Sequence, residues 1–183
     1  MKVFALLVAM LLMAACSAAS PGSEDHAAVQ DRDAAIARIH PSIGEVAWQP
    51  YAAPPRLVLT LDGSGWDEAH VFYGFAIDAS SALAKLEKKK LRPTDHDVTF
   101  MLRVKGADSK NRNVLHLRIP GSAAAGSQQA NASGDARALL QQSTVEFNGR
   151  MGRDLVRAFC SSSKYQGPNG VQSVPDFCRR ALG

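Results

Sequence analysis

Most of the signatures that announce a chemistry are absent from this sequence of 183 residues. There is no HExxH, and no two histidines fall four apart on a helical segment, so a helical zinc site has nothing to build on. His26, His40, His70, His96 and His116 are scattered along the chain. No phosphate-loop motif and no paired-glycine fingerprint occurs, which leaves nucleotide and dinucleotide binding without a cradle. Gly63-Ser64-Gly65 lacks the GxSxG elbow of the serine hydrolases. No CxxC is present, no segment repeats at a period of 20 to 50 residues, and the longest apolar run is short. The charge is mild, 21 basic residues against 17 acidic, without the strong basic stripe of a nucleic-acid-binding domain. No catalytic residue, metal ligand or cofactor is assigned.

What is present begins at the N-terminus. Lys2 precedes an uncharged run from Val3 to Met13, followed by Ala14, Ala15 and Cys16. A basic start, an apolar stretch of this length and a small-residue exit describe a secretory signal. A membrane-spanning helix needs about 20 apolar residues, more than this run supplies. Met13-Ala14-Ala15-Cys16 resembles the lipobox of bacterial lipoprotein precursors. The resemblance implies that residues 1–15 are a signal peptide and that Cys16 is lipidated as the first mature residue. In such lipoproteins an aspartate after the cysteine favours retention in the inner membrane. Ser17 holds that place here, so the resemblance implies an outer-membrane anchor on the periplasmic face. Several acyl chains make such anchoring close to permanent, because each buried methylene contributes about 0.8 kcal/mol.

Residues 16–24 form a small, polar, proline-containing tether with too little apolar surface to pack. Residues 25–183 are expected to be a single domain. Removing fifteen residues from 183 leaves 168, enough for one sizeable core, and losing Lys2 leaves 20 basic against 17 acidic residues. With Cys16 assigned to lipid, Cys160 and Cys178 remain as a pair. An oxidising compartment favours a disulfide between them over two buried thiols.

The periodicities predict an α+β fold: an antiparallel sheet of four to five strands with helices on one face, ordered α-ββ-α-ββ-α. Ser23 to His40 suits a helix ended by Pro41, with a thin apolar stripe of Val29, Ile36 and Ile39. Pro41 to Pro55 reads as an extended connector packed down by Trp48 and Tyr51. Arg56 to Leu61 alternates as a strand, and Ala69 to Ile77 is expected to be its partner across a turn at Asp62 to Gly65. Ser80 and Ser81 then offer a cap to a helix ending near Arg92-Pro93. Asp97 to Lys105 and Asn113 to Ile119 alternate as two further strands. Gly121 to Asp135 is low-complexity and reads as a loop. Helices are expected at Ala136 to Gln142, Gly152 to Ser161 and Pro175 to Leu182, with a short strand over Ser143 to Phe147.

One loop draws the eye as a binding site. Trp66, Asp67 and Glu68 put an aromatic beside two acids in a turn between expected strands, with His70 just beyond. Tryptophan is enriched at binding hot spots because it offers much contact area with few rotamers to freeze. Trp66 folded back over the core is the alternative. Asp95-His96-Asp97 reads as solvated loop polarity at a strand's start. Lys85, Lys88, Lys89, Lys90 and Arg92 read as the solvated side of a helix; in a functional role they would meet anionic lipid headgroups or an acidic protein.

The leading expectation is therefore a lipid-anchored periplasmic module that binds another envelope or secreted protein without catalysis, in an assembly or inhibitor role. A hydrolase acting on envelope material would need some of Asp67, Glu68, His70 and His96 to converge in one cleft. A lipid or small-ligand carrier would need an enclosed apolar pocket between sheet and helices.

Overall fold

The structure, a computed structural model, describes residues 23–92, 95–121, 135–166 and 173–183, with the side chains of 23–28 left undescribed. The expected signal peptide, Cys16, the expected tether as far as Gly22 and nearly all of the Gly121–Asp135 segment lie outside the described residues. The fold is α+β. Helix α1 (Ser23–Ala37) leads into strands β1 (Ile43–Gln49) and β2 (Arg56–Asp62), then helix α2 (Glu68–Lys88) and strands β3 (Asp97–Lys105) and β4 (Asn111–Ile119). Helix α3 (Ala136–Gln142), strand β5 (Thr144–Phe147) and helices α4 (Arg150–Ser161), α5 (Ser163–Gln166) and α6 (Pro175–Leu182) complete the described chain.

The five strands form one sheet in sequence order, β1-β2-β3-β4-β5. Every pairing is antiparallel except β2 with β3, which run parallel with Leu57 beside Val98 and Leu61 beside Leu102. Parallel neighbours require a crossover, and α2 supplies it. The alternating side chains split the sheet into two faces. Leu57, Leu59, Leu61, Val98, Phe100, Leu102, Leu115 and Leu117 enter one core with Phe72, Leu83, Phe159 and Phe177 from the helices. The other face carries Glu45, Arg56, Thr60, Asp62, Thr99, Arg103, His116 and Arg118. Val58, on that side, is buried without joining the core cluster.

Three expectations are corrected here. Ala69 to Ile77 is not a strand but the first half of α2. Its alternation of Val71, Tyr73, Phe75 and Ile77 is outweighed by Phe72, Phe75, Ala76, Ala79, Leu83 and Leu86, a buried stripe at helical spacing that only a 3.6-residue period unites. Ser80 accordingly sits inside the helix, its hydroxyl donating back to the Ile77 carbonyl at 2.8 Å. The missing strand is β1, which lies within the stretch expected to be a connector. Trp48 packs against the core from it, and its indole Nε1 donates to Asp33 of α1 at 2.5 Å. The order α-ββ-α-ββ therefore holds through β4 with one strand exchanged, and the sheet is mixed rather than wholly antiparallel.

Helix α2 ends without glycine. Lys90 adopts φ 55°, and Leu91 N–H reaches back to the Leu86 carbonyl at 2.9 Å while Lys90 N–H bonds Glu87. This closes the helix as a Schellman turn with a lysine in the left-handed position. The C-terminal helices follow expectation. Leu155, Val156 and Phe159 of α4 face the core, and Gly152 lets the helix backbone come down on Val114 of β4. Cys160 and Cys178 form a disulfide with Cα atoms 5.7 Å apart, joining α4 to α6.

The crossover also gives the domain two distinct ends. Helix α2, 21 residues and so about 31 Å long, returns against the direction of β2 and β3. Its N-terminus stands where those strands finish, and its lysine-rich C-terminus stands where they begin.

Candidate functional site

The Trp66 loop joins β2 to α2. Gly63 N–H continues the strand contact by donating to the Arg103 carbonyl at 2.7 Å. At Gly65 a Cβ would press on Val71 at 2.9 Å and on the His70 ring at 3.0 Å, so only glycine lets the chain pass this close to its own helix. Asp67 is the N-cap, accepting the His70 N–H at 2.7 Å, and Glu68 adds negative charge to the first turn. The loop expected between two strands is thus a strand-to-helix turn, and Asp67 has a structural task within it.

That cap sets the ring of His70 beneath Trp66. The two rings stack with centroids 3.5 Å apart and planes 18° from parallel. His70 Nδ1 lies 3.2 Å from the Tyr165 hydroxyl, and Tyr165 of α5 is itself buried against Tyr73 and Phe159. Lys164 brings its ammonium to 5.4 Å from the indole centroid of Trp66 and 5.1 Å from the Tyr165 ring. Despite this support Trp66 remains 73 % exposed. It is a large aromatic plate held from behind and open in front, with a cation and the exposed acids Asp67 and Glu68 at its border. The expected group of Trp66, Asp67, Glu68 and His70 is brought together. Lys164 and Tyr165 were not foreseen, because nearly a hundred positions separate Tyr165 from His70; Tyr73 joins the group because its segment is helix and not the expected strand.

His96 is not part of this group. It lies beside β3's beginning, at the opposite end of α2, edge-on to Trp48 with centroids 5.9 Å apart. Its Nδ1 shares a 2.7 Å hydrogen bond with Asp95, and that bond holds the exposed Asp95 carboxyl below its ordinary value. His96 therefore does not converge with Asp67, Glu68 and His70.

A serine, a histidine and an aspartate do meet elsewhere. Ser42 Oγ donates to Asp78 at 2.5 Å, Ser42 N–H donates to His40 Nδ1 at 3.3 Å, and His40 Nε2 stands 3.9 Å from Asp78. Acyl transfer needs the hydroxyl on the imidazole and the carboxylate behind it. Here the hydroxyl is given to the carboxylate and the imidazole takes a backbone N–H. Burial pushes His40 below its ordinary value, with Asp78 opposing that shift and Lys85 adding to it. The cluster fastens the α1–β1 corner to α2.

Among the described residues no group of three or more His, Cys, Asp or Glu side chains is placed to hold a metal ion. No described helix is long and apolar enough to cross a membrane. A small cavity of about 100 Å³ lies between β5 and α6, lined by Val145, Phe177 and Arg180 among others. It is well under the roughly 300 Å³ of a small-ligand pocket. Compared with protein-family models, with curated proteins and with solved structures, the chain shows no significant match.

Proposed function

We propose that this chain is a bacterial lipoprotein, anchored through Cys16 to the periplasmic face of the outer membrane, whose domain binds another envelope or secreted protein without catalysis. The anchor rests on the resemblance of Met13-Ala14-Ala15-Cys16 to a lipobox and on Ser17 after it. The binding role rests on one observation, the exposed Trp66 plate stacked on His70 and braced through Tyr165. Its rotamer is restrained by its neighbours before any partner arrives, so little freedom is lost on binding. Tryptophan is enriched among protein-binding hot spots, and a polar, solvent-accessible border matches the rim of such an interface. Assembly accessory and inhibitor both fit such a surface.

The test is an affinity capture from detergent-solubilised envelopes with the native lipidated protein as bait, beside a Trp66→Ala bait. The expected result is acylated Cys16 and one stoichiometric partner that the Trp66→Ala bait loses. A partner retained equally by both baits would move the binding surface elsewhere, and an unacylated bait would remove the anchor.

A further inference from the structure

The sheet has two edges, β1 and β5, and they are not alike. The β1 ladder carries a bulge between Ile43 and Glu45, a feature that spoils an edge for further pairing. Strand β5 runs through its four pairs with β4 without a shift. Asn148 N–H donates to the Val114 carbonyl at 2.9 Å, and this fixes the phase of the antiparallel ladder. Thr144 and Glu146 turn their backbone groups toward β4, whereas Val145 and Phe147 turn theirs away. Among the described residues, neither the N–H nor the carbonyl of Val145 or Phe147 meets a partner. Thr144 and Glu146 are exposed and Val145 and Phe147 half-buried, so solvent reaches this edge.

The side chains along the edge alternate as well. Val145 and Phe147 stand beside Leu117 and Leu115 on the core face, and Glu146 stands beside His116 on the other. On the core side the edge is bordered by α6, and the cavity of about 100 Å³ opens between the two, lined by Val145, Phe177, Ala181 and Arg180 among others. It has room for one aliphatic side chain. Two arginines stand at this side. Arg180 donates to the Gln141 carbonyl at 2.9 Å, and the Arg153 guanidinium lies 5.5 Å from the Phe147 ring centroid. Neither belongs to a described ion pair, because the acids of their helices are taken: Asp154 lies between Arg150 and Arg157, and Asp176 pairs with Arg179. Glu146, on the opposite face, is the acid of the edge itself.

We infer that the β5 edge takes an extended peptide segment of another protein as an antiparallel sixth strand. Outward N–H and C=O groups at alternate residues are complementary to one thing above all, the backbone of a further strand. In that pairing the residue opposite Val145 turns toward the cavity, and the residue opposite Phe147 meets Arg153. The residue between them lies across from Glu146. Charge complementarity therefore selects an acidic, a basic and an aliphatic residue in succession along the incoming strand. A second copy of this chain fits less well. The antiparallel register that pairs all four residues of β5 with themselves sets Glu146 directly opposite its own counterpart, and like charges so placed repel. This surface is separate from the Trp66 plate, which follows β2, three strands away in the sheet.

The test follows amide hydrogen exchange by NMR in the full-length protein, with the peptide acetyl-Thr-Glu-Lys-Val-Thr-Thr-amide as probe. At a peptide concentration about nine times its Kd, exchange at Val145 and Phe147 should slow roughly tenfold. Thr144 and Glu146, already bonded to β4, should change little. N-methylation of the peptide's glutamate and valine removes the donors aimed at β5 and should abolish the effect, whereas N-methylation of its lysine should not. Val145→Pro removes an N–H that the sheet does not use and should also abolish it; the N-methyl series decides even if that variant does not fold. Trp66→Ala should bind the peptide as the wild type does, and loss of binding there would place the peptide on the plate and overturn the inference. No protection at Val145 and Phe147 with about 5 mM peptide overturns it too, as does binding indifferent to the N-methyl pattern. Protection that needs no peptide and grows with protein concentration would assign the edge to a second copy instead.

Discussion

Gly152 of α4 lies directly on the Val114 carbonyl of β4, so close that a Cβ at 152 would fall well inside van der Waals contact with that oxygen. The obstacle is the backbone of a sheet strand, its oxygen already held by the Asn148 N–H at 2.9 Å, and cannot swing away. Gly152→Ala is expected to cost about 2–4 kcal/mol despite alanine's better helix propensity. Urea unfolding should show the lowered midpoint. A neutral or stabilising result would mean that α4 does not cross β4 at this distance.

The opposite sign is expected at Lys90, whose φ of 55° places a side chain in the left-handed region at the end of α2. Lys90→Gly should stabilise by about 0.5–1 kcal/mol, since glycine meets no Cβ penalty there. The same unfolding assay measures it.

The Cys160–Cys178 disulfide ties α4 to α6 across a separation of 18 residues. Replacing both cysteines by alanine should remove about 3 kcal/mol in the chain-entropy model. Thiol titration of the unfolded wild type, with and without reductant, checks that the bond is the one lost.

Trp66 separates binding from stability. Because it is 73 % exposed, Trp66→Ala should change unfolding stability by less than about 1 kcal/mol. Partner affinity should fall at least about tenfold if the plate is a hot spot. Loss of both together would show Trp66 to be a cover on the core instead.

Stability should depend on pH through His40 and His116. Burial pushes both below the ordinary histidine value of 6.5; Asp78 and Glu146 respectively oppose the shift, and Lys85 and Arg56 add to it. Between the lowered native values and 6.5 the unfolded chain binds more protons than the native one, so stability rises with pH in that window. The unfolding midpoint should therefore be lower at about pH 5 than at about pH 7.5. Asp78→Asn, which removes the opposing charge, should widen the window for His40. Imidazole proton shifts followed by NMR assign the two histidines separately.

Helices α3, α4 and α6, the strands at Asp97 and Asn113 and the cysteine pair were legible in the sequence because local periodicity and count suffice for them; the single turn of α5 was not. Of the site, the grouping of Trp66, Asp67, Glu68 and His70 was legible because the four are near neighbours in the chain. Val71, Tyr73, Phe75 and Ile77 misled because alternate residues of an apolar helix imitate a strand. Only the helical stripe of Phe72, Ala76, Ala79 and Leu83, extended over 21 residues, distinguishes the two. Strand β1 was hidden by its flanking prolines and by Glu45 and Gln49, which an edge strand with one polar face tolerates.

By itself the sequence determined the α+β class and the cysteine pair, since each depends on residues close in the chain or on simple count. Tertiary structure alone decided that β2 and β3 run parallel. It also decided that Tyr165 braces His70 under Trp66, and that the lysines of α2 stand at the end from which α1 departs. Those relations join residues tens of positions apart, and burial of a shared core, which no local pattern encodes, is what brings them together.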